Sequence, residues 1–365
     1  MNIMTKQDFE QMRNRAFASE AYKNYQEVRE AVFAMLQNQE KVSAGSASAY
    51  WSTELEGMDY MLDASPLIIQ KLRHHCYHLT GLREYEYRDH HARASLKLEQ
   101  RLAALQAHDQ SGLLVPESPL CGGFGFKIGN GLYNVDTLRF YESLIVLDQE
   151  GILNTFRNAM QRNVALEIGG GWGGFAYQFK TLFPNTTYIA VDLPGSILFG
   201  ATYLKTLFPQ ARVYLSDGSE QDASFLAKEK YDFAFFPHFA WPNLTIPKPD
   251  ILINLASFQE MTTEQVNGYI SRAATLACPV VYSCNRDRSP NNPELSRISE
   301  ILSQYYTMTA DFPGFDTQSK AKFSFARDMV TRAKRIAGSQ KAKRSEDIYA
   351  YRHLLGKRSY VDHHA

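Results

Sequence analysis

Hydrophobic residues recur at helical spacing in the first third of the chain. One such set, with charged residues between its members, consists of Tyr22, Tyr25, Val28, Val32 and Met35. Steps of three and four residues predict an amphipathic helix. The same spacing predicts further helices over residues 51–62, 66–79, 91–107 and 136–147. The first third should therefore be mainly helical.

Short apolar runs alternate with helical stretches in the second half. The predicted strands are 164–168, 188–192, 212–215, 233–236, 251–255 and 280–283, with 305–312 as an edge strand. The helices predicted between them include 196–207 and 263–276. Such alternation is typical of a parallel sheet covered on both faces, so we expect an α/β fold. The glycine-rich residues 116–134 form a loop or a pair of short strands.

The length of 365 residues favours two domains. We expect a mainly helical domain over 1–160, a catalytic domain over 161–330 and a basic tail over 331–365. Between Arg332 and Arg358 the tail carries nine lysines and arginines and two acids. We interpret it as a solvated helix with a frayed end, and binding of an acidic partner is the alternative.

Charge and composition exclude several classes of protein. Basic and acidic residues both number 39, so we expect neither nucleic acid nor a membrane surface as partner. Apolar runs stay below the roughly 18 residues that span a bilayer, and the polar start lacks the core of a secretion signal. The four cysteines show no CxxC spacing, which indicates reduced, packed thiols. These features together predict a cytoplasmic protein.

Five glycines stand at the junction between the predicted strand 164–168 and the next helix: Gly169, Gly170, Gly171, Gly173 and Gly174. Without side chains, such a turn lets the backbone lie against a ligand, and the first amides of the helix can bind a carboxylate. The segment satisfies both GxGxxG, typical of dinucleotide sites, and ExGxGxG. The glycines alone therefore do not identify the cofactor.

Two acids favour S-adenosylmethionine over a nicotinamide dinucleotide. Glu167, two residues before the first glycine, suits the ammonium of a methionine group and would repel a pyrophosphate. Asp192, 25 residues later, ends the next strand and can accept hydrogen bonds from ribose hydroxyls. The alternatives are a capping carboxylate at Glu167 and a tight turn without ligand. Asp217 either meets the adenine amino group or belongs to a surface turn.

Several segments together resemble one family. They are 122–125, 134–140, 166–174, 191–194 and 254–261, within about half of the chain. The chain resembles the sugar O-methyltransferases encoded in bacterial polysaccharide and natural-product gene clusters. This resemblance implies a Rossmann-like class I methyltransferase domain, S-adenosylmethionine as donor, S-adenosylhomocysteine as product and a small-molecule acceptor, a sugar or glycosylated metabolite.

The motifs and the resemblance together give a set of cofactor-binding candidates. They are Glu167, Gly169, Gly170, Gly171, Trp172, Gly173, Asp192, Leu193, Asp217, Arg139, Thr137, Asn254 and Ser257. The resemblance places the loop 134–139 against the cofactor, with Arg139 beside the methionine carboxylate. The alternative is a helix cap by Asn134 or Asp136 and a surface arginine.

Transfer of a methyl group to a hydroxyl needs a base that takes the proton. His238 and Glu260 each follow a predicted strand, and ligands gather at the carboxyl ends of parallel strands. We favour His238 as the base, with Glu260 orienting the acceptor or sharing the proton. The alternatives are a core histidine at position 238 and a helix cap at Glu260 near Thr262.

No contiguous motif indicates a metal. If a divalent ion took part, Glu260, Asn285 and Asp287 would be its oxygen ligands. His74, His75 and His78 are interpreted as solvent-facing residues of a helix beside Arg73, and His90 and His91 likewise do not form a metal site. We therefore predict no metal.

Two other functions stay open at this point. The protein could methylate nitrogen or a non-sugar natural-product intermediate, in which case the acceptor pocket needs no general base. It could also be a non-catalytic cofactor-binding protein, which would tolerate loss of both His238 and Glu260. The N-terminal helices either cover the acceptor pocket or form a homodimer interface.

Overall fold

The computed structural model describes residues 4–42, 51, 56–158, 160–314 and 350–358. The strands in these ranges are β1 (Phe126–Ile128), β2 (Gly131–Tyr133), β3 (Asn163–Ile168), β4 (Thr186–Asp192), β5 (Val213–Leu215), β6 (Phe233–Pro237), β7 (Ile251–Leu255), β8 (Val280–Arg286), β9 (Thr307–Pro313) and β10 (Tyr351–Lys357). Strands β1 and β2 form a separate antiparallel pair, which confirms one of the two predictions for the glycine-rich segment.

The other eight strands form one sheet in the order β5, β6, β4, β3, β7, β8, β10, β9. The neighbours from β5 to β8 are parallel, and β10 is antiparallel to both β8 and β9. The predicted α/β, Rossmann-like class is confirmed. From β3 the chain builds one side of the sheet through β4, β5 and β6, and then crosses to β7 on the other side. Ligands bind at such a reversal of strand order.

Helices cover both faces of the sheet. Those in the described ranges are α1 (Lys6–Phe17), α2 (Glu20–Gln39), α3 (Pro66–Ile69), α4 (Tyr77–Thr80), α5 (Ala92–Gln106), α6 (Val135–Gln149), α7 (Asn154–Arg157), α8 (Gly174–Leu182), α9 (Pro194–Leu207), α10 (Phe225–Lys228), α11 (Thr263–Thr275) and α12 (Ile298–Leu302). The strands alternate between two apolar layers: Ala165 faces one, and Val164 and Leu166 face the other. This double burial explains their nearly continuous apolar sequences.

The predicted apolar stripe of α2 packs against the sheet domain. Val28, Val32 and Met35 are buried in the same apolar layer as Ala165. At the edge of this contact, the Asn24 side-chain amide donates to the Thr206 hydroxyl (3.3 Å) on α9. Lys205 of α9 pairs with Glu27 of α2 at 2.9 Å. The first helices and the sheet domain therefore share a core.

Several predicted elements need correction. The single helix predicted over 66–79 is wrong: the chain forms α3, a 3₁₀ turn at Leu72–His75 and α4, because Arg73 turns inward to a buried carboxylate. For the predicted helix 51–62, residues 52–55 lie outside the described ranges and Asp59–Asp63 is a 3₁₀ turn.

The basic tail contains an unpredicted strand. A solvated helix with a frayed end is wrong for Tyr351–Lys357, which is β10, inserted between β8 and β9. The rest of the predicted tail helix, 332–349, lies outside the described ranges.

A buried polar cluster anchors β10 to the helical layer. The Tyr282 hydroxyl lies 2.7 Å from His353 Nδ1, and His353 Nε2 lies 3.1 Å from Glu142 Oε1 on α6. Arg101 donates to the other Glu142 oxygen at 2.8 Å. Burial alone would disfavour charge on Glu142, but the hydrogen bond from His353 and the charge of Arg101 outweigh it and lower its pKa to about 2.

Two further predictions concern membrane segments and cysteines. Within the described residues, no helix has the length and apolar character needed to cross a membrane. The four cysteines are buried and free of disulfide bonds, as predicted.

Candidate active site

A cavity of about 670 Å³ lies at the carboxyl ends of the central parallel strands. Its walls include the glycine loop after β3, the end of β4 at Asp192, and the segments that follow β6 and β7. Ten of the residues from Tyr77 to Tyr87 in the N-terminal region, and Arg139 of α6, also line the cavity. The site predicted on the sheet thus includes residues contributed by the helical third.

The glycine loop can be built only with glycine at specific positions. Gly169, Gly171 and Gly173 have φ angles of +74°, +54° and +82°, where other residues are strained. A Cβ atom on Gly169 would also lie 2.1 Å from Ser257 Oγ, and one on Gly200 of α9 would lie 2.8 Å from the Gly171 carbonyl oxygen. The loop is therefore held closely between β7 and α9 while its backbone borders the cavity.

Glu167 is a buried carboxyl group beside the loop. Its side chain lines the cavity and accepts a 2.9 Å hydrogen bond from the Tyr188 hydroxyl. Burial, aided by the nearby Asp192, raises the pKa of Glu167 to about 8. At neutral pH this group is mostly protonated, and a cation arriving in the cavity would favour its ionised form.

Asp192 joins the end of β4 to the glycine loop. One carboxylate oxygen accepts from the Gly171 N–H at 2.7 Å, and the other accepts from the Leu193 N–H at 2.7 Å. Burial raises the pKa of Asp192 to about 6, although both backbone hydrogen bonds oppose the shift. The Ser196 side chain forms a third hydrogen bond to this carboxylate, which leaves one of its four lone-pair sites for a ligand hydroxyl.

A buried arginine supports the loop from below, and the sequence did not indicate it. The Arg73 guanidinium carbon lies 3.7 Å from the Trp172 ring centroid. Arg73 Nε donates to Glu117 at 2.8 Å, and a terminal nitrogen donates to Asp136 at 3.2 Å. Arg73 is fully buried. The neighbouring His74, His75 and His78, which were predicted to face solvent, are half-buried. The partners of Arg73 lie 44 and 63 residues away, too far for local spacing to reveal them.

Trp172 and Leu193 line the cavity, as do Ser257 and Arg139. Four other predicted cofactor residues are not among its lining residues: Thr137, Gly173, Asp217 and Asn254. Asn254 has a structural role: its side-chain nitrogen donates to the Ile168 carbonyl (2.7 Å), and its side-chain oxygen accepts from the Phe258 backbone N–H (2.9 Å). Gly173 precedes the first residue of α8.

The cap alternative raised for Asn134 is confirmed. Asn134 caps α6 and accepts from the backbone of Thr137 at 2.9 Å, so Thr137 supports the helix start from inside the fold. Asp217 accepts from Ser219 N at 2.8 Å within a turn, and its contact with an adenine group stays a prediction.

Both candidate bases line the cavity, but from different strands. His238 directly follows β6, and Glu260 belongs to the segment that follows β7. Because β4 and β3 lie between β6 and β7, the two strands are about 14 Å apart at the usual strand spacing. The cap alternative for Glu260 is wrong, since Thr262 caps α11 together with Gln265.

The oxygen ligands considered for a metal have structural partners. The Asp287 carboxylate accepts from the Ser299 backbone N–H (2.8 Å) and hydroxyl (2.9 Å). The Asn285 amide donates to the Asn254 side chain at 2.8 Å. In the part of the chain that the structure describes, no group of three or more His, Cys, Asp or Glu residues could hold a metal ion.

Comparisons with known proteins give distant structural likenesses. No protein-family model matches the chain, and no curated protein matches it. Magnesium protoporphyrin IX methyltransferase from Synechocystis PCC 6803, solved with bound SAM, is 13% identical with a TM-score of 0.33, and the match covers 63% of this chain and 87% of that chain.

Two other similar structures are an O-methyltransferase family protein and an N-methyltransferase. An O-methyltransferase family protein from Burkholderia thailandensis is 12% identical (TM-score 0.30; 62% of this chain and 61% of that chain). Phosphoethanolamine N-methyltransferase 2 from Haemonchus contortus, in complex with S-adenosyl-L-methionine, is 15% identical (TM-score 0.33; 58% and 52%). Likeness at this level decides nothing about function, which therefore rests on the cavity.

Proposed function

We propose that this protein is an S-adenosylmethionine-dependent methyltransferase that methylates a hydroxyl group of a small molecule, a sugar or glycosylated metabolite, and leaves S-adenosylhomocysteine. One observation carries the proposal. A glycine-rich loop, a buried carboxyl group at Glu167 and a second acid at Asp192 border one cavity where the order of parallel strands reverses. This combination suits a ligand with a cationic amino-acid end and a ribose.

Each lining group has a role in holding the cofactor. Glu167 pairs with the ammonium of the methionine part and ionises as it does so, which a dinucleotide pyrophosphate could not induce. Asp192 accepts a hydrogen bond from a ribose hydroxyl, while Trp172 and Leu193 provide apolar contact. Arg139 offers a guanidinium to the methionine carboxylate. Gly169 has no room for a Cβ beside Ser257, so at this position the loop presents its backbone to the cofactor.

The chain contributes position and a proton acceptor to the reaction. When bound, S-adenosylmethionine supplies the methyl group, whose bond to sulfur breaks as the acceptor oxygen bonds to its carbon. The cavity holds the acceptor hydroxyl in line with that bond, which removes most of the entropic cost of the encounter. His238 takes the hydroxyl proton, and Glu260 lies on the other wall as the alternative base.

Aromatic side chains give the acceptor end a suitable surface. Tyr77, Tyr85 and Tyr87 line the part of the cavity formed by the N-terminal region. Aromatic faces stack well on the apolar C–H faces of a sugar or on a planar metabolite. This supports a small acceptor enclosed between the two parts of the chain.

Calorimetric titration with S-adenosylmethionine, S-adenosylhomocysteine and a nicotinamide dinucleotide tests the proposal. We expect the two sulfur cofactors to bind. Asp192→Ala should weaken binding at least about tenfold, because one or two hydrogen bonds to a charged group are lost. Gly171→Asp should weaken it by a similar factor, because it adds a charged side chain to the loop at a φ of +54°. Gly129→Asp, in the turn between β1 and β2, is the matched control and should bind normally. Mass spectrometry of incubated hydroxylated metabolites should then detect a gain of one methyl group.

Binding of the dinucleotide instead, or unchanged affinity in both site variants, would refute the proposal. Cofactor binding without turnover on any acceptor would favour the non-catalytic alternative.

A further inference from the structure

Two arginines flank one tyrosine at the cavity wall. The guanidinium carbons of Arg139 and Arg286 lie 5.0 Å and 5.1 Å from the ring centroid of Tyr351. All three residues line the cavity, together with Gln259. We call these four residues the arginine corner. It exists because β10 lies antiparallel beside β8, which brings Tyr351 opposite Arg286.

Gln259 holds the corner in place with both ends of its amide. Its nitrogen donates to the Tyr351 hydroxyl at 2.9 Å, and its oxygen accepts from the Arg286 backbone N–H at 3.1 Å. The Gln259 side chain is buried, with 4% of the residue exposed. The tyrosine ring and the start of the Arg286 side chain are therefore preorganised rather than loose surface groups.

The corner presents donors that the described protein does not use. The Tyr351 hydroxyl accepts from Gln259 and keeps its own proton to donate. The Arg286 guanidinium contacts the Tyr351 ring, and within the described ranges no carboxylate forms an ion pair with it. The only such partner of Arg139 there is Asp136, at 3.6 Å, and the other Asp136 oxygen is already held by Arg73. Since the proposed function assigns Arg139 to the methionine carboxylate, the Arg286 guanidinium and the Tyr351 hydroxyl are the donors that remain available to a second ligand.

Within the corner, Arg139 lies nearest the predicted cofactor, whereas the position of Arg286 and Tyr351 separates them from it. The cofactor would extend from Glu167 on β3 towards Asp192 on β4. Arg286 ends β8, two strands from β3 on the opposite side, which is about 10 Å at the usual strand spacing. A group bound by Arg286 and Tyr351 therefore belongs to the acceptor side of the cavity, next to the segment that carries Glu260.

We propose that Arg286 and Tyr351 of the arginine corner bind an oxyanion of the acceptor, a carboxylate or a phosphate. Guanidinium groups match the geometry of both anions and bind them with charge-assisted hydrogen bonds. The acceptor is then an anionic hydroxylated metabolite rather than a neutral sugar. That the bound anion belongs to a methyl acceptor rests on the proposed function. The existence of an anion site does not.

Titration with inorganic phosphate and with malonate, in the presence and absence of S-adenosylhomocysteine, tests the corner directly. We expect Arg286→Gln to weaken anion binding at least about tenfold and Tyr351→Phe about threefold, as the loss of a charged and a neutral donor predicts. Affinity for S-adenosylmethionine should change less than about twofold in both. Arg83→Gln is the matched control, because Arg83 lines the same cavity over a different ring, Tyr77.

Two results would overturn the proposal. The first is absence of anion binding, or equal loss in Arg83→Gln and Arg286→Gln, which would reveal only the general charge of the cavity. The second is an Arg286→Gln variant that binds S-adenosylmethionine more weakly than wild type but binds decarboxylated S-adenosylmethionine equally well. That result would show that Arg286 contacts the cofactor carboxylate. A wild-type protein that binds the anions but no sulfur cofactor would instead refute only the methyltransferase proposal.

Discussion

The carboxylate of Asp192 accepts a 2.7 Å hydrogen bond from the backbone N–H of Gly171. The acid that ends β4 therefore also holds the glycine loop that follows β3. Replacement of Asp192 would remove a ribose acceptor and release the loop at the same time. A loss of cofactor affinity in an Asp192 variant would therefore combine both effects, whereas changes at Glu167 and Gly169 separate the charge from the loop.

Binding of S-adenosylmethionine should release protons. The pKa of Glu167 is raised to about 8, so the free protein holds a proton there at pH 7, and an ammonium beside the group favours its loss. Calorimetry in buffers of different ionisation enthalpy should give up to about one proton released per cofactor at pH 7. Glu167→Gln should abolish the release. Equal proton counts in the two proteins would show that Glu167 does not meet the cation.

Gly169→Ala should damage the loop more than a similar change elsewhere. The new Cβ would lie 2.1 Å from Ser257 Oγ at a φ of +74°, so the loop must move. We expect at least about a tenfold loss of cofactor affinity. Gly129→Ala has a similar φ of +57° with no heavy atom within 4 Å of the new Cβ, and should leave affinity unchanged. A second change, Ser257→Gly, should restore part of the loss if the clash is its cause.

Removal of the base should lower turnover without affecting cofactor affinity. We expect His238→Ala to lower kcat by about 10²-fold or more, in the range of general-base catalysis, and Glu260→Gln by a smaller factor. The reverse order would assign the base to Glu260, which lies nearer the arginine corner. Retention of full turnover in the double variant would indicate an acceptor that needs no base, such as an amine.

The polar cluster behind β10 should make stability depend on pH. Burial opposes charge on His353, but Cys284 and Glu142 outweigh it and raise its pKa to about 10, from an ordinary 6.5. A raised pKa contributes stability that is complete below pH 6.5 and disappears as pH rises through 10. The lowered pKa of Glu142 contributes stability above about pH 4.5, which is lost as pH falls towards 2. The full contribution is therefore expected between about pH 4.5 and 6.5.

Urea unfolding of the wild type and His353→Gln at several pH values checks this expectation. The difference in free energy of unfolding should shrink from pH 6.5 to 10, by at most about 1.4 kcal/mol per pH unit. Arg352→Gln, on the same strand, is the control. Arg352 forms an ion pair with Asp311 on β9, and the difference in free energy of unfolding between this variant and the wild type should stay constant over this range. A constant difference for His353→Gln as well would exclude a charged histidine in the fold.

Local patterns predicted the elements that are buried within the parallel sheet. Strand β7 has the predicted bounds, Ile251 and Leu255, because a strand covered on both faces is mostly apolar. Its one polar residue, Asn254, is buried with hydrogen-bond partners. Strand β10 was missed because its sequence lies in a basic tail, and only pairing with β8 and β9 gives Leu354 and Leu355 a buried environment. The burial of Arg73 was not predicted, because its carboxylate partners Glu117 and Asp136 are remote in sequence.

The sequence by itself determined the glycine loop, Glu167 and Asp192, since backbone freedom and charge at the end of a strand are local properties. Only the tertiary structure decided which further side chains join the predicted ones in the cavity. Gln259, Arg286 and Tyr351 come from the 3₁₀ turn after β7, the end of β8 and the start of β10, and no spacing rule connects them with the predicted Arg139. Their meeting depends on the order of strands in the sheet, which long-range packing selects.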